Sequence, residues 1–237
     1  MYTYDIRVGF SQSDIEQKMT LPAVVDCFQD CSCFQSDELG VGFYYLQPKG
    51  LVWIINYWEL EIVKMPQYFD KITVGTFPYD FKGFIGLRNF FLKDENGEHL
   101  VKANSMWVLM DWEKQIPTRM PQEVSDRYEI EPKLDMVYSK RKIVISDSAE
   151  CVPQDKLIVQ PHHLDFNGHV NNGQYIKIAM SMIPRKTEYT RLRVEYRAQA
   201  HLGDVMCPIL YKTEDTYTVC LNNEEGAPYA IVELMYK

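Results

Sequence analysis

The sequence predicts an α+β chain in which one plan, a long helix followed by an antiparallel meander, is used twice. Three observations carry that prediction. Aromatics make up 13% of the 237 residues and β-branched residues are frequent, a mix that suits sheets better than a helical bundle. Two helix signals lie far apart, and each is followed by a series of strand-like segments. The two halves can also be laid over one another.

In the first half, Thr20 can cap a helix, and Pro22 suits its first turn. Leu21, Val24, Val25, Phe28 and Cys31 recur at helical spacing until Gly40 and Gly42 stop it. Strands are expected at about 51–64, 71–81, 84–93 and 99–111. The last two are joined as a hairpin by Asp94-Glu95-Asn96-Gly97. The second half repeats the order. A helix from about Asn172 to Ile183 ends at Pro184, with Tyr175, Ile178, Ala179 and Met182 as its buried stripe. Strands follow at about 189–200, 205–212, 216–222 and 227–236, with a hairpin turn at Asn222-Asn223-Glu224-Glu225-Gly226.

Laid over each other, Leu60-Glu61-Ile62 falls on Val194-Glu195-Tyr196, and Phe69-Asp70 on Gly203-Asp204. Asn96-Gly97 falls on Glu225-Gly226 after a short deletion. A sheet wrapped around a helix in each half satisfies this pattern, although two unrelated small domains would satisfy it too. The expected organisation is an N-terminal unit over residues 1–121, a proline-containing, charged linker over 122–140, and a C-terminal unit over 141–237.

Composition narrows the function classes. The chain is 46% hydrophobic and 24% charged, ordinary for a soluble protein with a real core. A formal net charge of -8 argues against nucleic acid as a general partner. No apolar run approaches the ~20 residues of a membrane span, and Met1 to Phe10 carries Asp5 and Arg7 where a signal peptide would be apolar. The expected location is cytoplasmic, with reduced cysteines. Cys27, Cys31 and Cys33 are spaced unlike zinc or iron–sulfur ligands. Cys27 and Cys31 share a helical face, so packing is the expected role, and neither metal nor cofactor is expected.

The segment richest in chemistry is Asp165-Phe166-Asn167-Gly168-His169-Val170-Asn171-Asn172, directly before the second helix. It packs a carboxylate, a carboxamide and an imidazole into one turn. Asn167-Gly168 favours positive φ, and Asn171 or Asn172 can cap the helix. The positive end of a helix can polarise a carbonyl and hold an oxyanion, where one well-placed donor contributes about 3–4 kcal/mol. His169 belongs to the pKa class of a general base acting near neutrality. Asn167 can fix the carbonyl or the water, and Asp165 can orient its neighbours or stabilise an imidazolium. Spacing alone favours plain turn and cap chemistry over catalysis. His162 and His163 read as solvated loop residues, and His99 and His201 carry no functional reading.

Asp165-x-Asn167-x-His169-Val170-Asn171-Asn172-x-x-Tyr175 closely resembles the signature of the acyl-acyl carrier protein thioesterases of plants and bacteria. The likeness runs nearly the whole chain, through Gly50-Leu51-Val52-Trp53, the strand Ala103–Asp111, the turn Ile116–Pro121 and Val194-Glu195-Tyr196-Arg197. The resemblance implies a tandem (double) hot-dog, with the first unit holding the acyl chain and one hydrolytic site on the second. It implies Asn167 and His169 as catalytic residues, supported by Asp165. The first helix has no Asp-x-Asn-x-His run, so a single site is expected.

One departure matters. Plant members carry an Arg-Glu-Cys run after the Glu-Tyr-Arg motif, its Glu or Cys assigned a catalytic role, where this chain has Ala198-Gln199-Ala200. Ala200 is no nucleophile, and Gln199 can hydrogen-bond a water but cannot serve as a base. Direct attack by water is therefore expected, with His169 or Asp165 accepting the proton and Gln199 as a positioner. The implied partner is acyl carrier protein bearing a fatty acyl chain, and a homodimer is allowed. Lys140-Arg141-Lys142, Arg185-Lys186 and the set Arg191, Arg193 and Arg197 are the candidate docking charges for that acidic carrier. Two rivals stand beside hydrolysis: a hydroxyacyl dehydratase on the same fold and a non-catalytic acyl-binding protein.

Overall fold

The computed structural model describes all residues except 185–187 and 237, so Arg185 and Lys186 lie outside the described residues. The chain forms two units, Met1–Tyr138 and Ser139–Lys237.

The first unit begins with β1 (Tyr2–Arg7) and α1 (Leu21–Glu38), followed by the short α2 (Phe43–Leu46). The meander is β2 (Leu51–Ile62), β3 (Lys71–Lys82), β4 (Ile85–Lys93) and β5 (His99–Asp111), with short β6 (Ile116–Pro117) and α3 (Gln122–Ser125) after it. The strands pair antiparallel in the order β1-β3-β4-β5-β2, and β6 adds to β5. Thr20 Oγ1 accepts from Ala23 N at 3.3 Å and starts α1 as the capping pattern predicts. Val24, Val25, Phe28 and Cys31 are fully buried. The Phe28 ring meets Trp58 of β2 and Phe90 of β4 at 6.1 and 5.3 Å between centroids. The helix therefore seals one face of the sheet, with the aromatics that favoured strands forming the layer between them.

The second unit repeats this. It contains β7 (Glu150–Pro153), β8 (Leu157–Ile158), α4 (Asn172–Ser181), β9 (Tyr189–Tyr196), β10 (Val205–Lys212), β11 (Thr216–Asn222) and β12 (Pro228–Tyr236). The order β7-β10-β11-β12-β9 matches the first unit strand for strand, with β8 also on β10. Tyr175, Ile176, Ile178 and Ala179 are the buried stripe of α4. Each unit is a hot-dog, and the chain is a tandem hot-dog.

The overlay of the halves holds in atomic detail. At one hairpin Asp94 Oδ1 accepts from Asn96 N and Glu98 N, each at 2.9 Å. At the other, Asn223 Oδ1 accepts from Glu225 N at 3.1 Å and Ala227 N at 2.8 Å. Gly97 and Gly226 take φ of 83° and 84°, which a side chain resists.

Several features differ from expectation, and β7 and β8, both paired with β10, were not among the expected strands. β1 was not expected, yet it pairs along its length with β3. β9 ends at Tyr196 rather than Ala200, because the amides of Arg197 and Ala198 both turn to Tyr229 O, at 2.8 and 3.2 Å, which breaks the ladder. Residues 122–138 are strapped onto the first unit rather than forming a free linker. Val124 and Tyr128 join a buried cluster with Val41 and Leu46, and Asn89 Oδ1 accepts from Leu134 N and the Tyr138 hydroxyl.

Arg191 and Arg193 of β9, and Arg197 just past its end, are engaged rather than open for docking. Arg193 pairs with Glu233 at 2.6 Å and donates to Lys140 O, Arg191 donates to Ser139 Oγ, and Arg197 donates to the buried Glu195. The strap Ser139–Ile143, whose Ile143 N also donates to Glu195 at 3.0 Å, lies against them. Lys140, Arg141 and Lys142 are exposed, with Arg141 Nη1 also 3.9 Å from Glu195 Oε1.

Candidate active site

The segment before α4 folds as a tight loop around the Asp165 carboxylate. Asp165 Oδ1 accepts from Asn167 N at 2.8 Å and His169 N at 3.3 Å. Asp165 N donates to His169 O at 2.8 Å, and Gly168 N to Asp165 O at 3.1 Å. Gly168 takes φ 78° at the apex. Asn171 is the cap: its Oδ1 accepts from Gly173 N at 2.8 Å. The loop thus delivers Asn167 exposed to solvent and His169 half-buried, one turn ahead of the positive end of α4.

A second loop, 199–204, runs beside it. Val170 N donates to Ala200 O at 3.0 Å, His169 and His201 form an antiparallel bridge, and Tyr175 Oη accepts from Ala200 N at 2.9 Å. Gln199, half-buried, is thereby carried next to the first loop. The structure brings Asp165, His169 and the backbone around Gln199 together through these bonds, with Asn167 on the solvent side of the turn.

Burial lowers the His169 pKa from its ordinary value of 6.5, the neighbouring His201 lowers it further, and Asp165 opposes both. The ring is therefore a neutral imidazole near pH 7, able to accept a proton. His163 is also lowered, chiefly by burial, and its Nδ1 accepts from Gln160 N at 3.0 Å, which ties it to the turn Pro161–His163. Among the described residues, no cluster of His, Cys, Asp and Glu is arranged to hold a metal ion.

Three residues that sequence reasoning left without a function stand at the site. The His201 and His169 rings meet edge to face at 4.9 Å between centroids. Asp204 Oδ2 accepts from His201 N at 2.9 Å and from the Tyr229 hydroxyl at 3.2 Å, and lies 3.8 Å from His201 Nδ1. The signal was present in the overlay, where Asp204 falls on Asp70.

The first unit contains the same two loops. Asp14 Oδ1 accepts from Glu16 N at 2.9 Å and Lys18 N at 3.0 Å, and Asp14 N donates to Lys18 O at 2.8 Å. Lys18 bridges to Gln67, as His169 does to His201. Asp70 Oδ2 accepts from Gln67 N at 2.8 Å, as Asp204 does from His201 N. Asp14, Glu16, Lys18, Gln67 and Asp70 therefore correspond to Asp165, Asn167, His169, His201 and Asp204. The loop itself is duplicated, which the absence of a second Asp-x-Asn-x-His run had hidden.

Comparison with known proteins agrees with a division into two domains. Residues 1–128 match the acyl-ACP thioesterase N-terminal domain, and residues 147–231 match the acyl-ACP thioesterase C-terminal domain. The chain belongs to the acyl-ACP thioesterase family. Within that family it is 27% identical over 215 residues to oleoyl-acyl carrier protein thioesterase 2, chloroplastic, of Arabidopsis thaliana, covering 81% of this chain and 58% of that protein. The chain spans about half to three-fifths of the length of the curated thioesterases it matches. The crystal structure of an acyl-ACP thioesterase from Bacteroides thetaiotaomicron superposes with a TM-score of 0.90 at 19% identity, covering 99% of this chain and 97% of that one. The 12:0-ACP thioesterase from Umbellularia californica gives 0.85 at 16% identity, covering 100% of this chain and 96% of that one. At those identities the two structures speak for the shared fold.

Proposed function

We propose that this chain hydrolyses the thioester of a fatty acyl group carried on acyl carrier protein, releasing free fatty acid and the carrier thiol. The observation that carries the reading is a half-buried His169 on a hydrogen-bonded loop directly before the positive end of α4, in a chain of this family. Water attacks the thioester carbon and gives its proton to His169. The oxyanion develops toward the α4 N-terminus and the Asn167 carboxamide. Collapse then expels the thiolate, which takes the proton back from the imidazolium. A general base in this role contributes about 10²–10⁴ in rate.

Of the two candidate acceptors, His169 is favoured. Asp165 Oδ1 is already held by two backbone amides, and Asp14 makes the same two bonds in a loop with no imidazole. Asp165 then acts through the loop it shapes, and Gln199 positions the water. The first unit holds the acyl chain and the second carries the chemistry, with carrier docking assigned to the exposed Lys140, Arg141 and Lys142.

The test is thiol release from acyl carrier thioesters of several chain lengths. Asn167→Ala and His169→Ala should each lower kcat/KM by about 10²-fold or more. Because the working form is neutral His169 and its pKa lies below 6.5, the acid limb of kcat/KM should also fall below that value. Water loss from a 3-hydroxyacyl substrate would replace this reading with a dehydratase, and tight binding without product would replace it with an acyl-binding protein.

A further inference from the structure

The duplication separates what the loop needs to fold from what it carries for chemistry. The carboxylates that bind backbone amides occur in both units, as Asp14 with Asp165 and as Asp70 with Asp204. The backbone bridge also occurs in both, but its paired residues are Lys18 and Gln67 in one unit and His169 and His201 in the other. The bridge therefore forms without imidazoles. Having one on each side of it is a property of the second unit alone.

His201 is also held more firmly than folding of the loop requires. Its backbone amide and ring both face Asp204 Oδ2, at 2.9 Å and 3.8 Å, and Tyr229 from β12 donates to the same oxygen. Its ring lies edge to face on His169 at 4.9 Å, although the His201 side chain is 59% exposed. An exposed imidazole gains little by burial from such a fixed placement. A defined orientation against His169 is what the arrangement supplies.

We propose that His201, anchored by Asp204 and Tyr229, is a positioning residue that fixes the His169 ring and acts on it through the field across their contact, so that the two imidazoles work as a pair. The proposal rests on His169 being the working base and deepens that reading. Groups beside the pair include Asp165 on the first loop, Asp204 on the second and Tyr229 on β12, with Tyr175 of α4 bound to the Ala200 amide.

The sign of the coupling follows from charge. A protonated His201 disfavours protonation of His169, so removing the His201 charge should let His169 protonate at higher pH. At this ring separation the change is about half a unit in a water-like medium. The experiment is an NMR titration of the His169 ring in the full chain, read beside the pH profile of thiol release. His201→Gln, at an exposed position, should move the His169 midpoint and the acid limb of kcat/KM upward together, and should lower kcat with little change in KM. Asp204→Asn and Tyr229→Phe, which loosen the anchor, should lower kcat in the same direction. An unchanged His169 midpoint in His201→Gln would overturn the proposal, as would a loss of activity that only tracks a loss of thermal stability. The NMR arm needs no turnover, so a protein that shows the coupled titration but releases no thiol keeps the pairing and loses the hydrolytic reading.

Discussion

Asp14 and Asp165 each accept two backbone amides and so close their own loops. A carboxylate taking two backbone amides holds the chain in a fixed turn, and that turn presents whatever residue follows. The two units differ in strain at the apex. Gly168 and Gly203 occupy positive φ at no cost, whereas the matching positions in the first unit are Gln17 at 63° and Phe69 at 74°. A non-glycine residue in this region costs about 1–2 kcal/mol. Gln17→Gly should therefore raise the unfolding free energy by up to about 1 kcal/mol. Gly168→Ala, with open space around its Cβ, should lower it by about 1–2 kcal/mol through backbone strain alone. Chemical denaturation of the two variants checks both signs.

At the scale of elements, the caps of the two helices have the same structural task and different consequences. Thr20 starts α1 and Asn171 starts α4, each accepting from an amide of the first turn. Loss of either cap should cost about 0.5–2 kcal/mol of stability. Thr20→Ala should do only that. Asn171→Ala also frays the start of α4, whose cap lies two residues beyond His169, so it should lower kcat as well. Comparing melting temperature with kcat for the pair separates the effects. The position of the strand end acts at this scale too. Because Arg197 and Ala198 share one carbonyl of Tyr229, β9 stops short and 199–204 becomes the second loop of the site.

At the scale of the molecule, each unit carries a core of its own, and the first is built on aromatics. Phe28 is fully buried between Trp58 and Phe90. Phe28→Ala should cost about 3–5 kcal/mol, read as a lower midpoint of denaturation. No helix among the described residues is long and apolar enough to cross a membrane.

Much of this was legible in the chain itself. Periodicity, caps and turn residues encoded both helices, the meanders and the hairpins, because those signals act over a few residues. β1 was legible in principle, in the alternation Tyr2-Thr3-Tyr4-Asp5-Ile6-Arg7, but a single short edge strand declares itself only through its partner β3. The resemblance at Asp165–Tyr175 named the family, to which both halves of the chain belong, while the roles of Asn167 and His169 are the proposal that substitution tests. What the tertiary structure alone decided was which side chains meet across sequence. His201 is 32 positions from His169, and Asp204 lies 25 from Tyr229, so no local pattern pairs them. The arginines of β9 looked like a docking patch until the strap and β12 supplied their partners. Local propensity is written in neighbouring residues, but the environment of an imidazole or a guanidinium is set by groups that only folding brings near.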